Sequence, residues 1–131
     1  MVSLENLDAA AARLPIVLVI DPVAASRLSL WRLLSRSFGV LEAPDAKRAL
    51  ACLGCRPQID ALVVQEHLPD ASGAELVESL ATARVPAASR AVLVSRPVDQ
   101  RSVLAALSRS LFAREPRRVE ALLREAERMV S

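Results

Sequence analysis

Ala61-Leu62-Val63-Val64-Gln65-Glu66-His67-Leu68-Pro69-Asp70-Ala71-Ser72-Gly73 decides how this chain folds. Its first four residues form an apolar run short enough for one buried strand. Pro69 and Gly73 then bracket a loop, and Ser72 is suited to cap a helix that begins with it. Ile16-Val17-Leu18-Val19-Ile20-Asp21-Pro22 repeats the pattern earlier in the chain. A continuous β-branched and Leu run is what a strand covered on both faces requires, and Asp-Pro ends it.

Working outward, further runs alternate. A helix is expected over about 23–37, with Leu30, Leu33 and Leu34 on one face. Val40-Leu41-Glu42-Ala43 reads as a second strand, and Asp45 as the cap of a second helix. The third strand spans 60–65, and a third helix runs through Glu75, Leu76, Val77 and Leu80. Residues 90–94 form a fourth strand and about 98–109 a fourth helix. Leu111-Phe112-Ala113 reads as a brief fifth strand, and Pro116 starts a last helix. That helix carries Val119, Leu122, Leu123, Ala126, Met129 and Val130 as one apolar stripe. Ahead of all this, residues 3–13 suggest a short amphipathic helix closed by Pro15. The expectation is an α/β, flavodoxin-like, doubly wound sheet of five parallel strands with five helices, plus the extra N-terminal helix. Residues 1–14 form the extension and 15–131 the domain.

Bulk properties fit one globular domain. The 131 residues are 53% hydrophobic but only 2% aromatic, so the core must be built from Leu, Val, Ile and Ala. A net charge of +2 from 17 basic and 15 acidic residues is too balanced for phosphate-driven nucleic-acid binding, which is disfavoured. The apolar run Ile16–Ile20 is far too short to cross a bilayer, and the N-terminus lacks a signal-peptide layout, so a cytoplasmic location is expected. Cys52 and Cys55 form a C-x-x-C at the end of a helical run rather than at a helix start, where a thiol gains reactivity. Two thiols alone cannot complete a zinc site.

In a sheet of this kind function gathers at the carboxyl ends of the strands, which places Asp21, Gln65, Ser95 and the residues after Phe112 together. From about Pro15 to Met129 the order and spacing of these motifs resemble the receiver domain of two-component response regulators. The motifs are Asp21-Pro22, the second strand with its helix, Leu68-Pro69 with Gly73, Ser95, and Glu115-Pro116 in the place of a Lys-Pro pair. The resemblance implies a signalling domain that would accept a phosphoryl group on an aspartate four residues before the loop proline, with Mg²⁺, a hydroxyl and a lysine.

Here that position is Gln65, whose carboxamide is a poor nucleophile. Pro22 stands where a second acid would, and Glu115 where the lysine would, although a one-residue shift would offer Arg114 instead. One carboxylate, Asp21, remains, so Mg²⁺ binding is expected to be weak or absent and no other cofactor or metal is implied. Glu66 is disfavoured as a substitute acceptor, because neighbouring strand residues point to opposite faces. His67 reads as a loop residue. Phe112 matches the resemblance's rotating switch aromatic, but without a phosphoryl group to drive a switch, core packing in the fifth strand is the favoured reading.

Leu28 and Trp31 lie off the main apolar face of their helix. They either receive the N-terminal helix through Leu4 and Leu7 or belong to an interaction surface. The functional expectation is a phosphorylation-independent, non-enzymatic pseudo-receiver. Its partners would be other signalling proteins, such as a histidine kinase or output protein, with a homodimer through the last two helices as a further option. The competing readings are a phosphorelay receiver with a non-standard acceptor, an enzyme using His67, Ser95 and Asp21 in a cleft, and a nucleic-acid module using the arginine-rich last helix.

Overall fold

The computed structural model describes residues 14–56 and 58–130. The helix expected over 3–13 lies outside them. The elements run β1 (Ile16–Ile20), α1 (Ala24–Leu34), β2 (Gly39–Ala43), α2 (Ala46–Cys55), β3 (Ala61–Gln65), α3 (Gly73–Thr82), a 3-10 turn (Pro86–Arg90), β4 (Ala91–Val94), α4 (Gln100–Leu111) and α5 (Pro116–Val130). Among the described residues the strands form one parallel sheet in the order β2-β1-β3-β4.

The pleat sorts the core into two layers. Val17, Val19, Ala61, Val63 and Val94 face α1, α4 and α5, where Leu34, Leu107 and Phe38 fill the space. Leu18, Ile20, Leu62 and Val64 face α2 and α3, against Ala49, Leu76 and Leu80. The residues of β1 and β3 are buried on both sides, as the uninterrupted apolar runs require. Each large side chain fully buried here contributes about 1.5–3 kcal/mol by removal from water. Polar links fix the strand ends: the Asp60 carboxylate accepts a hydrogen bond from the Ile16 N–H at 2.8 Å, tying the start of β1 to the segment entering β3.

The sheet has four strands rather than the expected five. Residues 100–115 contain neither Gly nor Pro, so nothing stops the helix before Leu111. Leu111 is therefore the last residue of α4, and Phe112 caps its end. Only 112–115 separate α4 from α5. A strand needs about five residues to run back across a sheet, and further residues to turn at each end. The two helices instead form a hairpin, and α5 folds back over α1 and α4 with Val119 and Ala126 in the core. Arg36 in the turn after α1 holds Glu125 of α5 at 2.9 Å.

Candidate functional site

The site begins where β1 ends. Asp21 is only 1% exposed, because its backbone continues the strand: its N–H donates to the Ala43 carbonyl at 3.0 Å. Its Oδ1 accepts from the Val23 N–H at 2.8 Å and from the Arg96 guanidinium, with which it forms an ion pair. Arg27 reaches the Asp21 carbonyl oxygen with Nη1 at 2.6 Å and Glu42 with Nε at 3.4 Å. Burial alone would push the Asp21 carboxyl up. The Ser26 hydroxyl, the Val23 N–H and the Arg96 charge outweigh it and hold the group below the usual carboxylate range. Ser26 stands near enough to favour the charge, yet Oδ2 closes no hydrogen bond of ordinary geometry.

Gln65, the last residue of β3, is 3% exposed. Its Oε1 accepts from the Glu66 N–H at 3.1 Å, while Nε2 is buried without a partner among the described residues. An amide N–H in that condition offers donors to an acceptor and no lone pair to an electrophile. The loop that follows is closed from within. Leu68 N–H donates to the Ala71 carbonyl at 3.1 Å, Gly73 N–H to the Glu66 carbonyl at 2.8 Å, and His67 pairs with Ser72. Gly73 has to be glycine because α3 starts against the end of β3. A Cβ there would run into the Gln65 carbonyl oxygen and stand 3.0 Å from Val64 Cγ1.

Ser95 follows β4, and the β3–β4 register brings it beside Glu66. Its hydroxyl donates to Glu66 Oε2 at 2.7 Å, on the exposed rim of the site. His67 is exposed. No hydrogen bond joins any two of His67, Ser95 and Asp21 among the described residues, so the arrangement of the cleft-enzyme reading is not assembled. Pro22 sits at the exit of β1, between Asp21 and the N-cap of α1.

Glu115 and Phe112 are elsewhere, which corrects the sequence expectation. α4 leaves the carboxyl edge of the sheet and runs antiparallel to the strands, so its end lies at the amino edge. Phe112 stacks on Phe38 with ring centroids 5.7 Å apart, and Phe38 immediately precedes the first residue of β2. A five-residue strand, roughly 17 Å, therefore separates Phe112 from Ser95. The guanidinium of Arg118 lies 4.0 Å from the Phe112 ring centroid and reaches Glu115 at 3.5 Å. Phe112 is a core aromatic with a cation over its face, not a neighbour of the Ser95 hydroxyl. Arg114 shares the same turn and cannot supply the missing cation.

The cation that stands beside Asp21 is Arg96. The resemblance places a basic residue followed by proline after a fifth strand. Arg96-Pro97 is such a pair, directly after β4, and it is the one that reaches the carboxylate. Asp70 is a second side chain that no sequence motif marks. Its two carboxylate oxygens accept from the Ala46 and Lys47 N–H groups at 2.9 and 3.0 Å, while Asp45 caps Arg48 N–H at 2.8 Å. The loop after β3 is thereby fastened to the start of α2.

A divalent cation of the Mg²⁺ type does not fit this donor set. Such an ion takes oxygen ligands and usually more than one carboxylate. Asp21 is a single carboxylate already carrying a guanidinium, and the described residues contain no cluster of three His, Cys, Asp or Glu placed to hold a metal.

No family model and no curated protein matches the sequence. Solved structures do match the fold. The signal receiver domain of an HD domain-containing protein from Pseudomonas fluorescens Pf-5 is 24% identical, with a TM-score of 0.63, over 77% of this chain and 97% of that one. A response regulator receiver protein from Pseudomonas putida is 23% identical with a TM-score of 0.65, over 75% and 98%. The chemotaxis protein CheY4 of Vibrio cholerae is 18% identical with a TM-score of 0.62, over 73% and 98%. The chain thus has the fold of receiver domains. No helix among the described residues is long and apolar enough to cross a membrane.

Proposed function

We propose that this chain is a response-regulator pseudo-receiver: a signalling module that acts by contact with other proteins and without phosphoryl transfer. The observation that carries the reading is the buried Asp21 carboxylate, paired with the solvent-exposed Arg96 guanidinium, beside Gln65. A receiver needs Asp21 free to help hold a metal and a charged nucleophile at the end of β3. Here the carboxylate is neutralised by the protein's own cation, and the nucleophile position offers an uncharged amide. Glu66, an acid on the rim, accepts a hydrogen bond from the Ser95 hydroxyl, the group that would otherwise meet a phosphoryl oxygen.

On this reading the module is non-enzymatic, binds Mg²⁺ weakly or not at all, and works in the cytoplasm beside signalling partners such as a kinase or an output protein. The exposed pair Leu28 and Trp31 on α1, 46% and 44% exposed, offers apolar area for such a contact. Arginines of α5 are partly taken up by Glu115 and Glu120, which speaks against a nucleic-acid face. Incubation with a small phosphodonor and excess Mg²⁺ tests the reading by intact mass. The expected result is an unchanged mass; a phosphoryl adduct on any acidic side chain would overturn it.

A further inference from the structure

The last turn of α2 holds both cysteines of the chain, and the site described above uses neither. Cys52 is half-buried and packs, beside Leu53, against the core layer under α2. Cys55 ends the helix and is exposed, and both are free thiols. Residues three apart on an α-helix have Cα atoms about 5 Å apart. That lies inside the range of about 4.4–6.8 Å that a disulfide spans. The Cβ atoms are the obstacle. On a regular helix they stand about 5–6 Å apart, and a disulfide draws them to about 3.5–4.5 Å. The turn has to give by about 1.5 Å before the sulfurs can join. It is built to give. Gly54, the link directly before Cys55, has the widest backbone freedom of any residue, and nothing lies within 4 Å of where its Cβ would be. The turn is closed from outside by the Arg56 N–H, which donates to the Cys52 carbonyl at 2.9 Å, and helix ends fray readily.

From these observations we infer that Cys52 and Cys55 are a reversible thiol–disulfide modification site, closed by a small anionic disulfide of the glutathione class and reopened by the matching thiol. This goes beyond the pseudo-receiver reading and does not depend on it. The exposed Cys55 thiolate attacks one sulfur of the reagent, whose S–S bond breaks, and half of the reagent leaves as a thiolate. Cys52 then attacks the Cys55 sulfur in the mixed disulfide and displaces the other half. The chain gives up two electrons and two protons, and the reagent departs as two thiols, so one disulfide is consumed for each one made. Cys52, held within one turn, reacts ahead of a second reagent molecule by proximity. Charge agrees: α2 carries Lys47 and Arg48 and no acid, and Arg56 follows it, which attracts an anionic reagent. A helix end is not where an oxidoreductase keeps its pair, so the bond is a modification of this chain rather than one passed on to a substrate. A disulfide that disrupts the last turn is strained and easily reduced, as a regulatory one in a reducing compartment must be. Closing it breaks the Arg56–Cys52 hydrogen bond and disturbs the approach to β3, where Ile59 is buried and the Asp60 carboxylate holds the Ile16 N–H. Redox state thereby reaches the start of β1.

The test equilibrates the full chain in glutathione buffers of graded oxidised-to-reduced ratio and reads intact mass and alkylatable thiols. The expected product is lighter by two hydrogens, has neither thiol open to alkylation, and returns to the dithiol with dithiothreitol. Circular dichroism confirms that the fold is kept, and amide exchange at Arg56 is expected to quicken about tenfold or more. Cys52→Ser is expected to stop at a single glutathione adduct on Cys55. Gly54→Ala, which has room for its methyl group, stiffens the turn and is expected to shift the balance toward the dithiol about two- to fivefold. A chain whose thiols stay reduced at every ratio overturns the proposal. So does one that collects a glutathione on each cysteine, or links only to a second chain through Cys55. A Gly54→Ala variant that oxidises as readily as the parent overturns it equally, because the turn would then not govern closure.

Discussion

At the scale of single residues, the site is a buried carboxylate held by the protein's own cation. The Arg96 guanidinium reaches Asp21 from the end of β4, and as a fixed side chain it is neither removed by a chelator nor lost by dilution. Removing it leaves a carboxylate at 1% exposure without its main counter-charge. Breaking a fully buried pair in this way costs about 3–5 kcal/mol. Arg96 is partly open to solvent, so Arg96→Ala is expected to cost about 2 kcal/mol in a urea melt. The pH dependence follows from the sign of the Asp21 shift. Its folded carboxyl is more acidic than the unfolded value of 3.8. The resulting stabilisation is complete above that unfolded value and drains away as pH falls through the folded one. In Arg96→Ala the carboxyl titrates higher, so the variant is expected to be less stable at neutral pH and to lose less of its stability on acidification, and the carboxyl resonance of Asp21 checks the shift directly. Asp21 and Gln65 were legible because both end apolar strand runs, and the resemblance, counting back from Pro69, gave Gln65 its significance. Arg96 was not, because its side chain crosses from the end of β4 to the end of β1, and no local pattern announces such a reach.

At the scale of elements, the strands were legible where β-branched runs leave no alternative. The fifth strand was misread because three apolar residues serve a helix end as well as a strand. The deciding information was upstream, in the lack of any breaker between 100 and 111. Legibility failed in the same way at Asp70, which looks like an ordinary loop acid after Pro69. Its function is to cap a helix that lies earlier in the chain, and the two hydrogen bonds to Ala46 and Lys47 hold its carboxyl below the usual range. Asp70→Ala is expected to leave the fold intact while speeding amide exchange at Ala46 and Lys47 and lowering the melting temperature. Asp45→Ala should act on Arg48 instead, since that cap is separate.

At the scale of the whole molecule, the sheet has two functional ends of different character. The carboxyl edge holds the buried Asp21 carboxylate with its exposed Arg96 partner, the amide and the rim hydroxyl. The amino edge holds the Phe38–Phe112 stack, the α4–α5 hairpin and the Arg118 cation. Phe112→Ala is expected to cost about 3 kcal/mol of stability through the cavity it leaves. It should not move the titration of Asp21, measured by NMR in the same sample; coupling between the two would restore the switch role that the distance denies. Trp31 belongs to neither end. It is the only tryptophan, there is no tyrosine, and its indole stands on the outer side of α1. The protein therefore contains its own optical reporter: a blue shift in its emission would announce a partner arriving over α1, while a contact on the far face of the sheet would leave the spectrum unchanged.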